Sequence, residues 1–246
     1  MTVLNAVALS LIAGLATGLG GFAVALLGKM DMKVYDSLLG FSAGVMTAVA
    51  TLGLVQEAVS VGSLLVSLLG IASGAALLFL MDRFLPHEHE QLPFECSDHV
   101  AYRRGLLLLT AMTLHNLPEG LAVGTGYASS ARLGLLLALA IALHNIPEGV
   151  AIAGPFRACG MPRRQYLLWA AGSGLAEPAA ALVGALAVAI FRPMLPFALA
   201  FAGGAMLYVV SDELIPESHS HGFEHQATAG FLLGFMLLVT LTRLFV

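Results

Sequence analysis

A phrase of polar residues occurs twice in this sequence, each time inside a long apolar run. It reads HNLPEG at 115–120 and HNIPEG at 144–149. Imidazole, amide and carboxylate groups are ligands for divalent transition metals. Because a helix turns through about 100° per residue, the glutamate of each phrase projects between the directions of its histidine and its asparagine. One carboxylate can therefore share one cation with the histidine and a neighbouring cation with the asparagine.

Each phrase also contains a proline, Pro118 or Pro147, inside the predicted helix. Proline donates no backbone N–H, so a carbonyl near His115 or His144 loses its usual partner and we expect a kink. Exposed carbonyls at membrane depth persist only where protein, water or an ion satisfies them. The phrases therefore predict a polar cavity.

The composition is that of an integral membrane protein. Of 246 residues, 59% are hydrophobic and 11% are charged, and the mean hydropathy is +0.90. With a net charge of −4 and no basic patch, the sequence gives no reason to expect a nucleic-acid partner. Cys96 and Cys159 stand far apart without a CxxC motif, so we expect neither a disulfide scaffold nor a thiolate metal site.

Eight apolar runs are long enough to cross a lipid bilayer, which takes roughly 20 residues. We expect one all-α transmembrane domain over 1–246, with the uncharged first run as a retained helix rather than a cleaved signal. The runs cover 3–28, 36–57, 61–81, 104–128, 131–155, 165–191, 194–213 and 226–245.

Lysine and arginine predict the orientation of these eight helices. With the N-terminus outside, the inner loops contain eight of these residues and the outer side three. We therefore expect a multi-pass protein of the cell membrane with both termini extracytoplasmic and with 82–103 and 214–225 as cytoplasmic loops. Both loops contain histidines, which either bind metal weakly or belong to solvated polar loops; they are His87, His89, His99, His219, His221 and His225.

A second repeat relates the second and seventh helices. Residues 41–60 align without gaps to 201–220, with identities that include Met46 and Met206. The paired helices cross the membrane in opposite directions, as do the two helices that contain the phrases. The chain therefore predicts an inverted repeat, which is typical of alternating-access transporters. The alternative is a chance recurrence of residues that are common in membrane helices.

Other residues could extend the site. Ionisable groups inside membrane helices cost roughly 2.5–3.5 kcal/mol each and usually mark ion paths. Glu177 is either a third carboxylate of the site or a packing glutamate, and Met46 is either a soft ligand or plain packing. Asp212 and Glu213, with Glu217, either deliver ions to the cytoplasm or are interfacial anions. The donor set favours Zn²⁺, Fe²⁺, Mn²⁺ or Co²⁺ over Cu⁺, Ca²⁺ and Mg²⁺.

The two phrases, with SGLAEP at 173–178 and MLYVVSDELIPE at 206–217, resemble the ZIP (Zrt/Irt-like) family of divalent metal transporters. The match spans all eight helices and is most like the bacterial zinc-uptake branch, whose metal tolerance is broad and extends the expected cargo to Cd²⁺. The resemblance implies a 3+2+3 arrangement of helices and a homodimer. It also implies an elevator-like motion of helices one, four, five and six.

The resemblance further implies a binuclear metal centre. One metal would be bound by Met46, His115, Glu119, His144 and Glu148. The second would be bound by Asn116, Asn145 and Glu177 and bridged by the two phrase glutamates. Some relatives have Gln-Asp in place of the second His-Asn pair, which leaves the charge and selectivity of the second position open.

We therefore expect a transporter that moves Zn²⁺ and similar divalent ions into the cytoplasm, with the metal as cargo and no cofactor. An intramembrane metal-dependent hydrolase is the main alternative, but it needs an activated water and a general base, and the HExxH motif is absent. A proton-coupled carrier of another solute is the third possibility.

Overall fold

The computed structural model describes residues 2–27, 30–84 and 99–245. Within these residues, eight helices are long and apolar enough to cross a membrane, as the sequence predicts. His87 and His89, for which weak metal binding is one of the two sequence interpretations, lie outside the described residues. The helices are α1 Thr2–Leu27, α2 Met32–Val61, α3 Leu64–Phe84, α4 His99–Ser129, α5 Ala131–Ala158, α6 Arg163–Ile190, α7 Arg192–Ser218 and α8 Glu224–Phe245.

Helix boundaries follow local capping and differ from the apolar runs at several ends. Asp31 accepts a hydrogen bond from the N–H of Lys33 and caps α2, and Ser130 does the same for α5 through Leu133. Helices α4 and α7 extend several residues past their predicted runs at polar ends. Hydropathy alone does not detect such polar turns, because it measures only the part of a helix that lies in lipid.

Helix α6 is not the continuous helix that the sequence predicts. One α-helical segment ends at Ser173 and a second begins at Ala176. The break lies at Gly174, where α6 is so close to α1 that a Cβ on Gly174 would lie 2.0 Å from the backbone oxygen of Gly14.

Two π-helical segments interrupt the α-helical geometry of α2 and α7. They cover Val49–Val55 and Val210–Leu214. The second segment falls within the range that corresponds to the first in the 41–60/201–220 alignment. A π-helical insertion is uncommon and often occurs at functional sites, so its presence in both helices supports the repeat.

Backbone contacts between helices also follow the repeat. A Cβ on Gly44 in α2 would lie 2.0 Å from the backbone oxygen of Phe231 in α8. A Cβ on Gly204 in α7 would lie 2.2 Å from that of Ile71 in α3. Each residue of one contact is 160 positions from its counterpart in the other, so α2 and α3 are repeated in inverted orientation by α7 and α8.

The helices pack in matching pairs around the two phrase-bearing helices. Helix α2 packs on α8 as α3 packs on α7, and α1 packs on α5 as α4 packs on α6. Large apolar side chains such as Leu65 in α3 and Leu233 in α8 are exposed, as expected for a lipid-facing surface. The polar residues of α4 and α5 are buried between these layers, in the 3+2+3 arrangement.

We call the end of the bundle where α2 begins and α7 ends the inner end, because the charge count predicts that it faces the cytoplasm. Cys159, at the end of α5, lies at this end and is disulfide-bonded. The spacing of the cysteines argued against a disulfide scaffold and did not predict this bond.

Candidate metal site

Both phrases lie in unbroken α-helix, in α4 and α5, with Pro118 and Pro147 inside the helices. Every histidine, asparagine and glutamate of the phrases is at most 1% exposed. Polar groups of this kind are rarely buried unless a partner compensates for the lost water. These buried groups therefore need partners that compensate for the lost water.

One histidine and two glutamates converge at the centre of the bundle. Nδ1 of His144 lies 3.2 Å from Oε1 of Glu148, and its Nε2 lies 3.9 Å from Oε1 of Glu119. One ligand atom from each of the three residues lies within 4.8 Å of the others. Among the described residues, this is the group of three or more histidines, cysteines and acids whose spacing can hold a metal ion. It contains residues of both phrases.

Several side-chain atoms of the phrases and of Glu177 have no hydrogen-bond partner within the described part of the chain. Both oxygens of Glu119 and one oxygen each of Glu148 and Glu177 have none, nor does Nε2 of His144. The side-chain oxygens of Asn116 and Asn145 are also buried without a partner. Buried polar atoms are normally paired. Every atom named here is of a type that coordinates divalent transition metals.

The two asparagines are oriented in the same way from opposite sides. The amide nitrogen of Asn116 donates to the carbonyl of Ser173 at 2.8 Å, and that of Asn145 donates to the carbonyl of Ala13 at 3.0 Å. Ala13 and Ser173 are again 160 positions apart. Because the amide nitrogens are anchored to α6 and α1, each asparagine is held with its oxygen free.

Glu177 lies where α6 resumes after its break, in the first turn of the segment that begins at Ala176. The partial positive charge of a helix N-terminus stabilises a carboxylate in this position. Oε1 of Glu177 accepts a hydrogen bond from Nδ2 of Asn145 at 2.5 Å. The structure therefore brings the predicted third carboxylate to the second phrase.

His115 is placed apart from the three-residue group. Its Nε2 lies 2.8 Å from Oε1 of Glu213 in the π-helical segment of α7, although neither ring nitrogen has hydrogen-bond geometry with a partner. The side chain of Glu213 is 30% exposed, whereas His115 is 1% exposed. Glu213 therefore links the buried phrase to the inner end. The sequence indicated Glu213 as an acid of that end but not its contact with His115.

Met46 is fully buried in α2. One helical turn before it, the hydroxyl of Ser42 donates to the carbonyl of His144 at 2.8 Å. Residues four apart share a face of a helix, so Met46 lies on the face of α2 that contacts α5. Ser42 was not among the predicted site residues; its position one turn from Met46 was the available signal.

The comparisons with known proteins identify the family of this chain. The family model described as ZIP zinc transporter matches residues 95–242. This chain belongs to the ZIP family. It is 39% identical over 242 residues to the zinc transporter GufA of Myxococcus xanthus, covering 94% of this chain and 95% of that protein.

Further relatives give the same result for this ZIP chain. The zinc transporter ZIPB of Bordetella bronchiseptica is 37% identical over 92% of this chain and 76% of its own length. The zinc transporter ZupT of Chlorobium chlorochromatii is 36% identical over 99% of this chain and 98% of its own length. The family is one of transporters rather than enzymes.

The histidine loop after α7 has a structural role in this ZIP chain. His221 is bound on both sides of its ring: Nδ1 lies 2.8 Å from Oδ1 of Asp36, and Nε2 lies 2.6 Å from a guanidinium nitrogen of Arg104. Arg104 also donates to Glu217 at 2.7 Å. These contacts join α2, α4 and α7 at the inner end, and they engage both ring nitrogens of His221, either of which could otherwise bind a metal.

Proposed function

We propose that this chain moves Zn²⁺, and with it Fe²⁺, Mn²⁺, Co²⁺ and Cd²⁺, across the membrane into the cytoplasm. The relatives named above are zinc transporters by name. The observation that supports the proposal most strongly is the buried set of histidine, glutamate and asparagine atoms without partners, at the place where the two halves of an inverted repeat meet.

The charge of the site suits divalent cations. Glu119, Glu148 and Glu177 are fully buried, and uncompensated carboxylates in such surroundings are costly. One or two divalent ions would neutralise most of this charge and supply the missing partners. The metal is then cargo that the site desolvates, and each ligand replaces a water molecule of its hydration shell.

The site is proposed to hold two ions. The first position uses His144 with Glu119 and Glu148, and is completed by His115 and Met46. The second position uses Asn116, Asn145 and Glu177, and the two phrase glutamates bridge the positions. The anchored asparagines and the free oxygen of Glu177 support this second position.

The exit is proposed to lead past Glu213. His115 contacts this acid, which is the partly exposed member of the pair. An ion bound by His115 would thus have an oxygen ligand in reach toward the inner end. The direction of transport follows from the predicted topology, with both termini outside the cytoplasm.

Alternating access is proposed for the motion. Helices α1, α4, α5 and α6 pack together around the site, while α2 packs on α8 and α3 on α7. The close backbone contact between Gly14 and Gly174 supports movement of the first group as one body, in the elevator-like manner and homodimeric assembly that the family implies. The hydrolase alternative is not favoured, because the family contains transporters.

Uptake of radioactive Zn²⁺ into liposomes with the purified protein tests the proposal. The wild type should accumulate zinc and the His115→Ala/His144→Ala double variant should not. His225→Ala removes a histidine in the first turn of α8 and serves as the matched control, with uptake expected at the wild-type rate. A wild type that binds zinc but moves none would overturn the transport proposal, and equal uptake by the double variant would overturn the path.

A further inference from the structure

Thr17 in α1 is fully buried, and its hydroxyl has no hydrogen-bond partner among the described residues. A threonine inside a helix usually donates to the carbonyl four residues earlier. Thr47, Thr113 and Thr125 do so at 2.6–2.7 Å. An unpaired hydroxyl in the centre of a membrane protein is costly, so the position of Thr17 needs an explanation.

The inverted repeat relates Thr17 to Glu177. A Cβ on Gly149 would lie 1.8 Å from the backbone oxygen of Thr17, and a Cβ on Gly120 would lie 2.1 Å from that of Glu177. The glycines end the two phrases, and the contacted residues are 160 positions apart. The sequence agrees, because GLAT at 14–17 corresponds to GLAE at 174–177.

The equivalence indicates where the Thr17 side chain belongs. The backbone oxygen of Glu177 lies next to Gly120 of the first phrase, and its carboxylate accepts a hydrogen bond from Asn145 of the second phrase. The backbone oxygen of Thr17 lies next to Gly149 of the second phrase. By the repeat, the equivalent direction for its side chain leads to Asn116, the asparagine of the first phrase. The oxygen of Asn116 is unpaired, and its amide nitrogen has a hydrogen bond to Ser173 but none to an acid.

We propose that Thr17 is a further residue of the transport site, with its hydroxyl as the neutral counterpart of the Glu177 carboxylate on the Asn116 side of the second metal position. This inference rests on the proposed function. The hydroxyl donates an oxygen ligand, directly or through a metal-bound water, to a divalent ion next to Asn116.

The absence of a charge at this position has a consequence for release. The negative charge of the three buried carboxylates does not fully balance the positive charge of two divalent ions. A glutamate in place of Thr17 would add a fourth and match the ionic charge in full. Stronger binding of the ground state raises the barrier to release, so it lowers turnover without improving transport. Threonine therefore keeps an oxygen donor and avoids over-stabilising the bound ions.

Three substitutions at this position test the proposal by zinc uptake and equilibrium zinc binding. Thr17→Val keeps the shape and removes the hydroxyl, and the loss of one neutral interaction should raise both KM and Kd for zinc about 3- to 10-fold. Thr17→Ser keeps the hydroxyl and should restore both values. Thr17→Glu should lower Kd and lower kcat. Thr125→Val is the matched control, since its hydroxyl bonds within its own helix, and it should leave KM and Kd unchanged.

The outcomes separate this inference from the proposed function. If the wild type transports zinc and Thr17→Val matches it in KM and Kd, the hydroxyl is not a site group and the inference fails alone. If Thr17→Ser behaves like Thr17→Val, the role is one of packing and the inference fails. If the wild type does not transport zinc, the proposed function fails first, and zinc binding by Thr17→Val against wild type still decides the role of Thr17.

Discussion

The two copies of the phrase have the same ligand types but different surroundings. In α5, His144 contacts Glu148 and faces Glu119, within the buried centre. In α4, His115 faces Glu213, which is partly exposed toward the inner end. The position that corresponds to Glu213 in the inverted repeat is Gly53, where a Cβ would meet Leu137 at 3.1 Å instead of an acid.

The asparagines differ in the same way. Asn145 bonds to Glu177, whereas the residue proposed for the corresponding side of Asn116 is the uncharged Thr17 of α1. In the proposed mechanism, the duplicated residues supply metal ligands from both halves of the inverted repeat. The residues around them are not duplicated, and they differ in charge and exposure. The comparison leads to the hypothesis that the two copies supply the metal ligands and that their unlike neighbours make the two sides of the site unequal.

The largest expected effect comes from the shared glutamates. If both copies contribute equally to binding, Glu119→Ala and Glu148→Ala should each reduce zinc uptake to background. Each loss removes a carboxylate that no neighbour replaces. Membrane insertion should be preserved, because removing a charge from the membrane interior makes insertion easier. Uptake in liposomes and the amount of protein in the membrane fraction measure the two effects.

The control for these variants is Glu57→Ala, which removes an acid that bonds Ser129 near the other end of α2. It should retain most of the uptake. Full activity in either phrase variant would contradict the shared role of the carboxylates. Loss of zinc uptake in only one of the two variants would show that the two glutamates contribute unequally. The two copies would then differ in their ligands and not only in their surroundings.

An intermediate effect is expected at Glu213. Glu213→Gln removes the charge next to His115 and leaves the other phrase untouched. Turnover should fall several-fold, on the order of 1 kcal/mol in barrier height, with a smaller change in zinc affinity. The rates of zinc release from preloaded protein and of uptake measure this effect.

The neighbouring acid provides the comparison for Glu213. Asp212 accepts a hydrogen bond from Tyr208 at 3.3 Å near the surface, so Asp212→Asn should leave turnover close to that of the wild type. If both variants slow release equally, the acids act through general surface charge and not through the contact with His115.

The smallest effect is expected at Met46. Met46→Leu keeps the volume and removes a soft thioether, which should reduce Cd²⁺ uptake about 2- to 5-fold relative to Zn²⁺, since soft ligands favour soft metals. Met206→Leu is the matched control, because Met206 is the repeat counterpart of Met46 and is equally buried. Equal effects of the two variants on the ratio of Cd²⁺ to Zn²⁺ uptake would assign Met46 to packing.

Much of the fold could be predicted because its signals are local. About twenty apolar residues indicate a membrane helix, and two phrases that differ only at Leu117 and Ile146 indicate a repeated function. The repeat of α2 in α7 was visible because residues such as Phe41 and Phe201 are identical. These features depend on which residues are present and not on how the helices are rotated.

The remaining features depend on rotation and register. The contact of His115 with Glu213 requires the orientation of α7, which a π-helical segment changes. The break in α6 at Gly174 lies four residues before Pro178, which cannot donate to the Gly174 carbonyl, and the close approach of Gly174 to Gly14 in α1 was not predictable from local sequence. Thr17 was missed because the repeat of α1 in α6 is weak in sequence, although GLAT and GLAE share three residues.

Anomalous diffraction from crystals grown with Zn²⁺ tests the central claim most directly, because it locates the ion without reference to transport. The account predicts a zinc peak enclosed by Glu119, His144 and Glu148, and a second peak near the two asparagines and Glu177. Peaks confined to surface histidines such as His219 or His225, with none among the phrase residues, would contradict it.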